Sequence, residues 1–298
     1  MPVRFRLRAP INNFVATDLI QQRKHLLDNF EVSDDPMSYL MTIDVNPTEL
    51  CNRTCEFCPR VDSKKYPNQN LHMSSSTAHK LADHLRDINY RNQIHFGGQG
   101  EPLLTKNFEN IVRTLKEAIP YNQHFHLTTN GDHLTTERLD QLIDAGIDHI
   151  NISCYDGPDQ ARGFSEMLAG QISHTVKNFY HTSNVDWGLP AVSNRAGVLK
   201  AIDKVKNKAC HLPFYSTSID WNGNVYLCVH DWNKHKIFGN IHYRHLRDIW
   251  LSEDLNTYRS MLIEKQRSKH PCKGCDVEGD YYGGRNIKFF ADRLNEKI

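Results

Sequence analysis

Met41-Thr42-Ile43-Asp44-Val45-Asn46-Pro47-Thr48-Glu49-Leu50-Cys51-Asn52-Arg53-Thr54-Cys55-Glu56-Phe57-Cys58-Pro59 joins an alternating segment to a loop with three cysteines. Met41 to Val45 has the period of two that marks a strand, so Cys51, Cys55 and Cys58 fall on the loop at its carboxyl end. Their spacing, C-x3-C-x2-C, lets three thiolates converge from one tight loop with no fourth thiol nearby. A structural zinc wants a closed set of four ligands, and an electron-transfer iron-sulfur cluster normally takes four thiolates. Three leave a coordination position open. The alternative is half of a zinc site completed from elsewhere, for which 17 histidines are available.

Downstream of this loop strand and helix alternate. Thr77 to Ile88 carries Leu81, Leu85 and Ile88 on one helical face, and Gln93 to Phe96 is a second strand ending in Gly97-Gly98-Gln99-Gly100-Glu101-Pro102. A helix through Phe108, Ile111, Val112, Leu115 and Ile119 stops at Pro120. His124 to Thr128 is a third strand ended by Thr129-Asn130-Gly131, Leu139, Leu142 and Ile143 mark a third helix closed by Gly146, and Asp148 to Ser153 is a fourth strand. After the first long gap, strands recur at roughly 25 to 30 residues, the length of a βα unit. This predicts a parallel sheet with helices outside, curved toward a barrel. The loops after its strands share one mouth.

A helix through Met167, Ile172, Val176 and Phe179 is expected next, then a proline-interrupted strand over Val185 to Val192. Cys210 arrives before the roughly 60 residues that two more βα units would need. The barrel is therefore expected to be truncated at about five strands. Upstream, Asp18 to Phe30 has helical apolar spacing and reads as an extension without chemistry. Strand alternation puts Cys154 on the face opposite Ser153, as an ordinary buried thiol rather than a hydrogen-atom donor. His95, His124 and His126 read as hydrogen-bonded core histidines.

The last third holds a second cysteine set. Asn222-Gly223 between Ser218-Ile219-Asp220-Trp221 and Asn224-Val225-Tyr226-Leu227-Cys228 signals a hairpin. Cys210, Cys228, Cys272 and Cys275 follow a C-x17-C-x43-C-x2-C spacing, and a helix with Leu246, Ile249, Trp250, Leu255 and Leu262 lies between. Four thiolates suit a zinc or a cluster equally. The three regions expected are 1–40, a helical extension; 41–205, a partial barrel; and 206–298, a hairpin-plus-helix metal domain. Charge is balanced, 36 basic against 35 acidic residues. Nothing in it asks for nucleic acid or a membrane surface. With no export signal and no apolar run near the roughly 20 residues that span a bilayer, a cytoplasmic protein with reduced, metal-binding thiols is expected.

The cysteine triplet, with Phe57 before the last cysteine, resembles the signature of the radical S-adenosylmethionine (radical SAM) superfamily. That resemblance implies a [4Fe-4S] cluster on Cys51, Cys55 and Cys58, with S-adenosylmethionine (SAM) on the fourth iron. The glycine-rich turn is similar to the family's cofactor turn, which implicates Gly98, Gly100 and Glu101; Ile152 to Gly157 resembles the segment in which a serine, here Ser153, meets the cofactor carboxylate or ribose, and Asn130 and Phe57 are expected beside the same cofactor. The C-terminal layout resembles the twitch domain, a short form of the SPASM extension, implying a second [4Fe-4S] cluster on Cys210, Cys228, Cys272 and Cys275. Length and spacing look most like the 2-deoxy-scyllo-inosamine dehydrogenase group. The implied chemistry is formation of a 5′-deoxyadenosyl radical, hydrogen-atom abstraction, and passage of an electron to the auxiliary cluster. A secondary alcohol of a sugar or cyclitol would be oxidised, with flavodoxin or ferredoxin as electron donor. Arg195 is the candidate catalytic residue near substrate or cofactor, with a surface salt bridge as its alternative reading. A peptide-modifying radical enzyme of the kind that matures ribosomal peptides, and a non-catalytic zinc protein, are the competing readings.

Overall fold

The computed structural model describes residues 34–55, 57–178, 193–199, 208–280 and 283–295. The expected helix at Asp18 to Phe30 and the expected strand at Val185 to Val192 lie outside them. The alternating segment forms β1 (Thr42–Asn46), followed by α1 (Ser75–Asp87), β2 (Gln93–Phe96), α2 (Phe108–Ala118), β3 (Phe125–Thr129), α3 (Thr136–Ala145), β4 (His149–Cys154), α4 (Pro158–Leu168) and β5 (Ser173–Asn178). Helix starts are capped as their sequences dictate: Ser74 accepts from the Thr77 amide and Thr135 from the Arg138 amide. Gly146, with φ +114°, ends α3 in a left-handed conformation that costs a glycine little.

One expectation fails here. Ile172 and Val176 do not continue the helix of Met167, because α4 ends at Leu168 and the chain turns through Gly170 at φ +73°. Val176 instead belongs to β5, where Ser173-His174-Thr175-Val176 pairs in parallel with β4. Phe179 is outside the described residues.

A short helix, α5 (Leu212–Tyr215), leads into β6 (Ser216–Asp220), β7 (Asn224–Tyr226) and β8 (Ile237–Asn240), then α6 (Leu246–Trp250), α7 (Glu253–Ile263) and α8 (Gly284–Asn295). The eight strands among the described residues form one sheet in the order β5-β4-β3-β2-β1-β6-β7-β8. The hairpin's first strand is thus also a sixth parallel strand, paired with β1 from Thr42↔Ser216 to Asn46↔Asp220. Among the described residues five strands, β1 to β5, precede residue 206, as expected, and the C-terminal hairpin extends the same sheet through β6. The turn forms as its Asn-Gly pair predicts: Gly223 sits at φ +81° and donates to the Asp220 carbonyl, and the Asp220 carboxylate accepts from the amides of Asn222 and Asn224.

Alternation divides each strand between two environments. Ile43, Val45, Ile94, Phe96, Phe125, Leu127, Ile150, Ile152 and Cys154 face the helices, in one buried apolar cluster with Leu81, Leu85, Ile111, Leu115, Leu139 and Leu142. Each such aliphatic or aromatic side chain gains roughly 1.5–3 kcal/mol on burial. The other face carries Thr42, Asp44, Asn46, Gln93, His95, His126, Thr128, His149, Asn151 and Ser153, a polar lining that must satisfy itself by hydrogen bonds. At the end away from the cysteine loop, α8 closes the core: Phe290 stacks on Tyr39 with centroids 4.2 Å apart and on Trp250 at 6.4 Å. Arg259 is buried in the same layer, donating to the carbonyls of Pro213 and Trp250 and to Asn256 Oδ1. Among the described residues no helix is long and apolar enough to cross a membrane.

Candidate metal centres and mouth

Parallel strands deliver their loops to one end of the sheet, and the three-cysteine loop is built there by hydrogen bonds to its neighbours. The Cys51 amide donates to Asn68 Oδ1 at 2.9 Å, and Asn68 Nδ2 returns a bond to the Cys51 carbonyl at 2.8 Å. Cys58 closes a turn onto the Cys55 carbonyl. Arg53, between the first two cysteines, forks across the mouth: its Nε and Nη2 bind Asp132 at 2.6 and 2.5 Å, and Nη1 and Nη2 bind Asp156 at 2.9 and 2.5 Å. Asp132 follows β3 and Asp156 follows β4, so one guanidinium ties three strand ends together. These bonds raise the Arg53 pKa further and lower that of Asp156.

The glycine-rich turn is docked against the same loop. A Cβ on Gly100 would lie 2.2 Å from the Thr48 carbonyl oxygen, so only glycine permits the approach. The Glu101 amide donates to the Leu50 carbonyl at 2.8 Å. Gly98 sits at φ +113° beside Asn46. The Glu101 carboxylate is buried and fully engaged: Thr129 Oγ1 donates at 2.6 Å, the Asn130 amide at 2.8 Å and the Leu103 amide at 3.0 Å. Burial raises its pKa and these bonds oppose the rise. Asn130 in turn donates to Asn52 of the cysteine loop at 2.9 Å. Phe57 stacks on Tyr155 at 6.1 Å, and Ser153, two residues before Tyr155 and on β4, is buried on the polar face. Cys154 points the other way, into the apolar cluster.

All three thiols of the loop are half-buried and free. Burial, then the neighbouring Cys58 and Cys51, pushes the Cys55 thiol up to about 11. Thiols raised in this way lose their protons when a cation binds them.

The second set surrounds a cavity lined by Cys210, Cys228, Cys272 and Cys275 with Leu227 and Val277. Burial pushes the Cys228 thiol well up, and Cys275, Cys272 and Cys210 push it further. Among the described residues no three His, Cys, Asp or Glu side chains gather as a single metal ion requires. Four thiols around one cavity fit the four thiolate ligands that a polynuclear iron-sulfur group takes.

Between the two sets runs the turn Ser193 to Gly197. Asn194 Nδ2 donates to the Gly274 carbonyl at 2.7 Å and its amide to Asp276 Oδ1 at 2.8 Å, which fastens the turn to the closing C-x2-C loop. Arg195 sits at φ +51° with its guanidinium 5.8 Å from the Trp232 ring centre. Its Nε is buried without a hydrogen-bond partner among the described residues. Burial lowers its pKa, while Cys58, Asp276 and Tyr155 act in the opposite sense.

Several residues at this mouth carry no short-motif signal. Gln99 is the clearest: its amide nitrogen donates to the carbonyls of Asp231 and Trp232 in the C-terminal region, while its own carbonyl accepts both Arg60 Nε and Nη2. Lys234 bridges Glu49 at 2.5 Å and Asp220 at 3.0 Å, joining the cysteine loop to the end of β6. Of the three histidines read as core residues, His95 and His126 are hydrogen-bonded on the polar face. His124 is exposed, because β3 begins only at Phe125.

Residues 45–179 match the radical SAM superfamily profile, and residues 210–276 match the SPASM iron-sulfur cluster-binding domain. The chain is 33% identical over 238 residues to an S-adenosyl-L-methionine-dependent 2-deoxy-scyllo-inosamine dehydrogenase of Niallia circulans, covering 78% of this chain and 92% of the relative. The crystal structure of BtrN in complex with AdoMet and 2-DOIA superposes with a TM-score of 0.69 at 30% identity, over 82% of this chain and 98% of that one. A PqqA peptide cyclase of Bradyrhizobium diazoefficiens is 26% identical over 152 residues, 51% of this chain and 36% of the relative.

Proposed function

This chain belongs to the radical SAM superfamily, and from that premise we propose that it oxidises a secondary alcohol of a sugar or aminocyclitol to a ketone. One observation carries the reading: a three-thiol loop at the open mouth and a four-thiol cavity in the C-terminal region, with the turn that bears Arg195 fastened to the closing C-x2-C loop. Cys51, Cys55 and Cys58 would hold the [4Fe-4S] cluster that binds SAM, and Cys210, Cys228, Cys272 and Cys275 the auxiliary [4Fe-4S] cluster. When bound, these groups supply reductive cleavage of SAM, removal of a substrate hydrogen atom, and a sink for the remaining electron.

The chain's own residues orient and enclose. Gly98 and Gly100 bring backbone against the cofactor's place beside the cysteine loop, and Glu101 holds that turn to Thr129 and Asn130. Ser153 and Asn130 offer hydrogen bonds from the neighbouring strand ends, and Phe57 with Tyr155 supplies an apolar wall. Arg195, a cation whose Nε lacks a partner among the described residues, would bind an oxygen of substrate or cofactor. A one-electron donor such as flavodoxin or ferredoxin would serve the first cluster.

The test is anaerobic reconstitution followed by incubation with SAM, reductant and 2-deoxy-scyllo-inosamine. About eight irons per chain and a ketone product are expected. Stoichiometric zinc with no 5′-deoxyadenosine would remove the enzyme reading, and modification of a peptide but of no polyol would replace the substrate class.

A further inference from the structure

One layer below the mouth, three strands place a hydrogen-bonded chain on the polar face. His95 Nδ1 lies 2.8 Å from Asp44 Oδ1, and His95 Nε2 lies 2.8 Å from Thr128 Oγ1. A carboxylate only accepts, so Nδ1 carries the hydrogen, and Nε2 is left to accept the Thr128 hydroxyl. Asp44 is nearly buried, while the His95 side chain keeps 17% of its surface exposed. Directly above, the residue that follows β2, Gly97, has no side chain. A Cβ on Gly97 would stand 3.0 Å from His95 Cε1 and 3.1 Å from Nε2, so its absence leaves that imidazole edge open toward the mouth. Thr128 pairs in register with Asn151 on β4. Asn151 is 1% exposed, and its Nδ2 has no hydrogen-bond partner among the described residues. A buried amide left without an acceptor is costly, on the order of 1–3 kcal/mol, unless a ligand supplies one.

We propose that Asp44, His95, Thr128 and Asn151 form the hydroxyl subsite of this enzyme, with His95 receiving the substrate's hydroxyl proton by way of Thr128. Asn151 Nδ2 donates to the substrate oxygen, and Thr128 Oγ1, its own hydrogen committed to His95, accepts from the substrate hydroxyl. With the cofactor and auxiliary cluster bound, the carbinol C–H hydrogen would leave as an atom to the SAM-derived radical and one electron would go to the auxiliary cluster. The hydroxyl proton passes to Thr128 as Thr128 passes its own to His95 Nε2. The C–O bond becomes C=O, and the imidazolium rests against Asp44. This rests on the alcohol-oxidation reading above and supplies the base that reading lacks.

The test uses the fully reconstituted enzyme, with 2-deoxy-scyllo-inosamine as probe. His95→Gln is expected to lower ketone formation by roughly 10²–10⁴, the range of general-base catalysis, while 5′-deoxyadenosine formation and probe Kd stay within about threefold. Added imidazole should raise ketone formation by His95→Gly roughly tenfold, an effect a merely structural histidine would not show. By calorimetry, Thr128→Val and Asn151→Leu should each weaken probe binding by about tenfold at unchanged iron content. Ketone and 5′-deoxyadenosine falling together in His95→Gln, or undiminished ketone formation, would overturn the role of His95. Unchanged probe affinity in both Thr128→Val and Asn151→Leu would overturn the subsite. A wild-type enzyme that consumes SAM but forms no ketone from any polyol would instead overturn the alcohol-oxidation reading, and this proposal with it.

Discussion

The two thiol sets solve one problem in opposite surroundings. Cys51, Cys55 and Cys58 are half-buried on a loop held by polar contacts: the Arg53 fork to Asp132 and Asp156, the Asn68 clasp and the docked glycine turn. Cys210 and Cys272 are buried, and Leu212, Leu227, Leu262 and Val277 line their cavity. A loop set by directional bonds around an open face can admit a small molecule to the metal. A cavity walled by apolar side chains excludes water and holds its group at a fixed place. The pairing of an open centre with a closed one is what an oxidation needs when radical chemistry starts at one metal and the electron ends on another.

The comparison can be broken most sharply at the thiols themselves. Cys55→Ala should abolish 5′-deoxyadenosine formation, a loss of at least about 10³-fold for the step the group supplies, yet leave about four irons in the C-terminal cavity. Cys272→Ala should do the reverse, lowering ketone formation more than 5′-deoxyadenosine release. Iron analysis with product chromatography checks both, and equal loss of both products in both variants would dissolve the distinction.

Gly100→Ala comes next. Its methyl would meet the Thr48 carbonyl at 2.2 Å, and forced backbone shifts of this kind cost roughly 1–3 kcal/mol. Reconstitution of the open site should fail first, while denaturation of the C-terminal region changes little. Arg53→Gln should act more mildly. The fork is partly solvated, with Asp156 55% exposed, so about 1 kcal/mol of stability is at stake. Faster loss of iron from the open site as salt rises in the wild type, and no such salt dependence in the variant, is the expected signature.

The smallest effect concerns the contact between the two regions. His84 on α1 accepts the Leu246 amide at 3.3 Å, and its ring packs 4.4 Å from that of His245. Burial lowers the His84 pKa to about 4, and the same cause lowers that of His149 inside the sheet to about 4. Both are bases whose folded form resists protonation, so the unfolded chain binds protons first, from about pH 6.5 downward. Their contribution is complete above that pH and is lost as pH falls toward 4. A decrease in Tm of roughly 2–6 °C over that window, reduced in His149→Asn, is expected from scanning calorimetry.

Much of the fold could be read without coordinates because βα units announce themselves locally: period-two strands, capped amphipathic helices and glycine turns recur at one spacing. The reading failed at Ile172 and Val176, where four apolar positions at helical spacing outvoted Gly170. Nor could it place β6 beside β1, which depends on a partner some 170 residues away in the chain. The thiols were legible because cysteines in motif spacing are rare. Gln99, Arg53, Lys234 and the Asp44-His95-Thr128 chain were not, because each gains its meaning from residues on other strands. Asp44 and His95 left only a faint trace, polar residues on the inward face of otherwise apolar strands.

What the amino-acid order determined alone is a repeating αβ chain with two thiol sets of distinct spacing, since helix capping, strand alternation and chelate loops are all short-range. Which residues meet across the mouth was decided only by folding. Parallel strands are joined through long crossovers, so their loop-end neighbours are set by sheet order and register. That is why a histidine, a threonine and an aspartate from three separate strands stand in line beneath a glycine, and why the hairpin that leads to Cys228 shares its first strand with the barrel.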